Sequence, residues 1–131
     1  MTLLRKMLVG QAVLWSSAGI AVALLPHWVL VTLFRQVPYP DYTYVRACGV
    51  MSIGFSLLAV LVAQKLDDVW WWAWTFAITD AALATITGLN ALVGARDSGI
   101  VLWWLFSALN ALLAVGLLLG IGRTGEEKPF A

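Results

Sequence analysis

One carboxylate stands alone in the apolar middle of this chain. In the stretch VWWWAWTFAITDAALATITGLNALVG, residues 69–94, Asp80 is the sole ionisable side chain. An ionised carboxylate deep in hydrocarbon costs about 2.5–3.5 kcal/mol on insertion scales. The position therefore asks for a proton, contact with water, or a polar partner. Three chemistries follow. Asp80 can serve a proton- or cation-coupled step, anchor the polar end of a ligand, or join two helices by a hydrogen bond. Asn110, in SALNALLAVG, is the amide expected to meet it. Asp80 is eleven residues past Val69 and Asn110 ten past Ile100, so at about 1.5 Å per residue both fall near mid-span. Asn90 and Arg46 complete the set of coupling or ligand candidates. Those two match each other in depth, and their depth separates Arg46 from Asp80.

Other reactive groups are few. The chain has one cysteine, Cys48, and one histidine, His27. No intrachain disulfide and no metal-ligand cluster can be assembled from them, and no metal or cofactor is expected. Cys48 reads as an inert buried thiol and His27 as a membrane-surface histidine. There is no nucleophile with its base and no phosphate loop, so catalysis is not expected.

These residues must be held by membrane helices. Of 131 residues, 62% are hydrophobic and 11% charged, too little charge for a water-facing surface. A formal net charge of +1 gives no field that would recruit nucleic acid. A span needs about 20 apolar residues, and four windows qualify, at about residues 7–25, 45–62, 69–93 and 100–121. In lipid such segments must be helical. The first window carries Arg5, Lys6 and an Ala21-Val22-Ala23 triplet in the manner of a signal peptide, and is read as a signal anchor. The expected fold is all-α: an integral membrane four-helix antiparallel bundle. Residues 1–122 form one domain, and 123–131 form a flexible cytoplasmic tail.

Lys and Arg set the orientation. Arg5, Lys6, Lys65, Arg123 and Lys128 fall on one side, and Arg35, Arg46 and Arg96 on the other. The excess places both termini in the cytoplasm, and the membrane is read as a bacterial inner membrane. Trp28, Trp70, Trp71, Trp72, Trp103 and Trp104 are expected as interfacial anchors at the two surfaces. Between spans one and two, Trp28 to Phe34 is too short to cross and too apolar to dangle. It reads as a short interfacial helix ended by Pro38 and Pro40.

Small residues mark the faces on which membrane helices meet. These are Ala12, Ser16, Gly19 and Ala23; Gly49, Ser52, Ser56, Ala59 and Ala63; Ala73, Ala77, Asp80, Ala84, Thr87 and Ala91; and Ser107, Asn110, Ala111 and Ala114. They predict helix crossings near about +20°. TGLNALVG and SALNALLAVG share a short Leu-Asn-Ala-Leu echo, which a duplicated helix pair or chance would both produce.

Three functions remain. The first expectation is a small polytopic protein acting by association, as an accessory subunit of a membrane complex or as a homo-oligomer, with the bilayer, other subunits or itself as partners. The second is a small proton- or cation-coupled transporter or channel using Asp80. The third is an intramembrane binder of an apolar small molecule or lipid.

Overall fold

The computed structural model describes residues 1–94 and 99–128. Arg96, counted above for orientation, and the last three residues of the tail lie outside them. Four helical segments are long and apolar enough to cross a membrane: Thr2–Leu24, Thr43–Gln64, Leu66–Val93 and Ile100–Glu127.

Helix α1 (Thr2–Leu24) stops at Leu25, whose φ of −128° and ψ of 54° leave the helical region. Pro26 follows, and a proline disfavours helical backbone in the residue before it. Residues Trp28–Leu33 then form a π-helical turn. Phe34 N–H donates to Val29 O at 3.0 Å and Gln36 N–H to Leu30 O at 2.8 Å. Helix α2 (Thr43–Gln64) starts beyond Asp41, whose carboxylate accepts from the Thr43 hydroxyl at 2.7 Å and the Thr43 N–H at 3.0 Å. Those two bonds, the hydroxyl's first, hold the Asp41 carboxyl below its usual range.

The third span is not one even helix. A single turn, α3 (Leu66–Val69), leads through a 3₁₀ turn at Trp70–Trp72 into α4 (Ala73–Leu89), which widens into a π turn at Asn90–Gly94. The tighter 3₁₀ winding turns Trp70 inward, where its ring would lie 3.5 Å from a Cβ on Gly125. Helix α5 (Ile100–Glu127) begins after Gly99. Gly99 has φ +69°, and a Cβ there would strike the Phe34 carbonyl, so the site needs glycine on two counts. Residues 123–127, expected in a flexible tail, continue α5 as helix, and Thr124 is fully buried.

Helix α1 lies between α2 and α5, and α5 between α1 and α4, while α2 and α4 barely meet. The apolar core fills one half of the molecule. Leu4, Leu8, Ala59, Val62, Leu66, Trp70, Phe76, Leu117 and Ile121 belong to it. Its end is tied off by polar contacts. The Met1 ammonium meets Glu127 at 3.0 Å, Lys128 meets Asp67 at 2.6 Å, and Arg5 Nε donates to Ala63 O at 3.1 Å. At the far end Arg46 donates to Ala23 O at 2.8 Å. The start of α1 thus sits beside the ends of α2 and α5.

Backbones touch where side chains are absent. A Cβ on Gly19 would come 2.6 Å from Gly49 O, and one on Gly49 would come 2.6 Å from Gly19 O. A Cβ on Gly120 would come 2.9 Å from Leu4 Cα. Gly116 makes a similar close approach to Met7. Gly116 and Gly120 were not among the small residues picked out above, and Ala111, which was, is exposed. Gly49→Ala should therefore destabilise the protein by about 1–3 kcal/mol through overpacking. Gly54→Ala, with nothing within 4 Å of the new atom, should be neutral or stabilising. Unfolding of both variants in detergent checks the pair, and equal stabilities would contradict the α1–α2 contact.

Candidate functional site

Helical periodicity puts Asp80 on the inner face of α4, in register with buried Ala73, Phe76, Ala77 and Thr87. On α1 the same logic puts Gln11 in line with Leu4, Leu8 and Ala12. Asp80 is 0% and Gln11 1% exposed. Gln11 Nε2 donates to Asp80 Oδ1 at 3.4 Å, near the long limit of a hydrogen bond. The remaining polar atom of each group, Asp80 Oδ2 and Gln11 Oε1, is buried with no hydrogen-bond partner. Trp15, one turn beyond Gln11, lies beside the carboxylate, yet its buried indole N–H reaches no acceptor in hydrogen-bond geometry.

This arrangement corrects the expected Asp80–Asn110 pair. Asn110 is buried, but its Nδ2 donates back to Phe106 O in its own helix at 2.8 Å, and its Oδ1 has no partner. Depth along the helix was read well enough to put both groups inside; the direction of the side chain was not. Gln11 was missed because it is uncharged, although an amide in an otherwise apolar span is itself a signal, having no water to turn to.

The remaining candidates fall into separate places. Arg46 bonds the last turn of α1 and pairs with neither Asn90 nor Asp41. Asn90 opens the π turn at the end of α4. Ser16 donates to Val13 O, Ser56 to Ser52 O and Thr87 to Leu83 O, each within its own helix. Ser107 is different. Its hydroxyl crosses from α5 to Ala84 O on α4 at 2.7 Å, beside Gly88, where a Cβ would come 3.0 Å from the Ser107 Oγ. Trp28, Trp71, Trp72 and Trp104 are exposed, whereas Trp70 is buried in the core and Trp103 faces inward. Trp70 packs inside the bundle, and Phe34 lies against half-buried Trp103 with ring centroids 4.9 Å apart and planes tilted by 58°. Cys48, expected to be buried, is exposed.

Two adjoining cavities meet at this place. One, of about 230 Å³, is lined by Gln11, Trp15, Met51, Ser52, Asp80 and Leu83, among others. It opens sideways where α2 and α4 fail to close, with exposed Met51 at its mouth. The other, of about 410 Å³, is almost wholly apolar. It lies between α1, α2, the Trp28–Leu33 turn and α5, and Val22, Val29, Leu33, Phe34 and Trp103 are among its walls. Trp15 and Ser52 belong to both. Among the described residues, no Lys, Arg or His side chain lines either one. Among the described residues, no three His, Cys, Asp or Glu side chains gather as a metal site would need.

The chain matches no protein-family model, no curated protein and no solved structure. Its chemistry must be read from the site. Gln11 and Asp80 should be energetically coupled, and Asn110 should not be coupled to Asp80. A double-mutant cycle of Gln11→Leu and Asp80→Leu, read by unfolding in bicelles, should return about 0.6–1.7 kcal/mol. The Asn110→Leu and Asp80→Leu cycle should be additive within about 0.5 kcal/mol. The reverse pattern would restore the pairing expected from sequence.

Proposed function

We propose that this protein binds an apolar small molecule or lipid within the membrane, its polar end at Asp80 and Gln11 and its apolar body in the adjoining cavity. The observation that carries this reading is an apolar chamber sharing Trp15 and Ser52 with a pocket lined by buried side chains whose polar atoms lack partners. Ligand sites are concave, mostly apolar, and fixed by a few convergent polar groups, with volumes of roughly 300–1,000 Å³. The two cavities together fall in that range.

The setting we propose is an antiparallel four-helix bundle in a bacterial inner membrane. Both termini are cytoplasmic, and the Trp28–Leu33 turn lies in the outer interface. The contact between Met1 and Glu127 and the excess of Lys and Arg at that end support this orientation. In that setting the mouth between α2 and α4 faces acyl chains, so a ligand arrives from the bilayer. Association with itself or with other subunits, the first expectation from sequence, is favoured by no particular surface. Exposed large apolar residues are spread over all four spans, as contact with lipid requires.

Filling the chamber tests the reading. Ala18 and Val22 line it, and Ala18→Phe with Val22→Phe adds bulk there. Protein purified in mild detergent and extracted with organic solvent should release a reproducible lipophile, quantified by mass spectrometry. The doubly substituted protein, still helical by circular dichroism, should release about tenfold less. Equal recovery from both proteins would remove the chamber from the account.

A further inference from the structure

The unpartnered atoms state what kind of head group the pocket wants. Two of those at the pocket are acceptors, Asp80 Oδ2 and Gln11 Oε1, and each belongs to a side chain no more than 1% exposed. The one buried donor there without a partner is the Trp15 indole N–H, beside the carboxylate; the half-buried Ser52 hydroxyl is a second donor on the same wall. Among the described residues, no cationic side chain lines the pocket. Arg5 and Arg46, the cations bonded to helix ends, are spent on Ala63 O and Ala23 O at opposite ends of the bundle. A buried carboxylate is stable when a charged donor pairs with it and the remaining lone pairs are filled. An ammonium offers up to three N–H donors in a compact head, enough for Asp80 Oδ2 and Gln11 Oε1 together. A carbonyl or ether head would use the Trp15 and Ser52 donors and leave both buried acceptors empty. A carboxylate or phosphate head would set like charge against Asp80.

We propose that the ligand is a lipophilic primary or secondary amine, its ammonium held by Asp80 and Gln11 and its hydrocarbon chain passing Trp15 and Ser52 into the apolar chamber. This rests on the intramembrane binding reading above and assigns the chemical class of what binds. The chamber's walls, from Val22 to Trp103, carry almost no polar surface, so they suit a saturated chain or an aromatic body and select little among them. Selection lies at the head. Trp15 also offers an aromatic face to a cation, which makes a quaternary ammonium the nearest rival and the useful control.

The experiment measures saturable binding of radiolabelled dodecylamine to the full chain in phosphatidylcholine nanodiscs, with empty nanodiscs subtracted. Competitors of the same chain length are dodecanol, dodecyltrimethylammonium, dodecanoate and a methyl ketone. Dodecylamine should displace the label at concentrations about tenfold or more below each competitor, and Asp80→Asn should erase that preference. Should Asp80→Asn fail to fold, the ranking on the unaltered protein decides alone, and Gln11→Leu should lower dodecylamine affinity severalfold while leaving dodecanol unchanged. Equal displacement by all compounds would overturn the amine assignment and leave intramembrane binding standing. Stronger displacement by the ketone would reassign the head to an acceptor. Equal displacement by dodecyltrimethylammonium would replace N–H recognition with recognition by the indole face. Absence of saturable dodecylamine binding, with a lipophile still recovered by solvent extraction, would overturn this assignment alone.

Discussion

A polar group in hydrocarbon has no water to fall back on, and this constraint shapes the whole molecule. Backbone groups meet it by helix formation, and at helix ends by side chains, as Arg5 and Arg46 do on carbonyls in the last turns of α2 and α1. Serine and threonine meet it by bonding carbonyls in the preceding turn, as Ser56 and Thr87 do. Gln11 and Asp80 meet it only by half. One bond joins them across the bundle, and Asp80 Oδ2 and Gln11 Oε1 are left without a partner. An unsatisfied buried polar atom costs about 1–3 kcal/mol, and the binding proposed above would give both of these a partner.

The division of the bundle follows from where large and small residues fall. Leu4, Leu8, Phe76, Leu117 and Ile121 close one half into a solid core. In the other half Gly19 and Gly49 bring α1 and α2 into backbone contact. Across from them, the Trp28–Leu33 turn and α5 stand off and enclose the apolar chamber. Phe34 anchors that turn twice, by its ring on Trp103 and by its carbonyl against Gly99. The site therefore lies where a firm half meets a hollow one, with Trp15 at the boundary.

Much of this was legible before any coordinates. Composition and run length picked out the four long apolar helices, which extend up to six residues beyond the windows, because the demand for about 20 apolar residues leaves little freedom. The isolation of Asp80 marked it as a residue to explain. What sequence did not reveal was lateral. Small-residue stripes say that a face makes contact but not with which neighbour, so Asn110 was paired with Asp80 when its amide turns back to Phe106. Gln11 was overlooked beside louder charges. The inward turn of Trp70 depends on a local 3₁₀ winding, which no hydrophobic period announces. The cavities arise from the gap between α2 and α4, a property of four helices jointly and of no single segment.

The central claim is that the pocket at Asp80 opens into lipid between α2 and α4. A nitroxide at Met51→Cys, in a Cys48→Ala background reconstituted into liposomes, reports its surroundings directly. The account predicts strong relaxation by oxygen, which dissolves in acyl chains, and weak relaxation by a water-soluble nickel chelate. Relaxation by the chelate as strong as that of a label at Asp41→Cys would mean that water, not hydrocarbon, fills the mouth, and would contradict it.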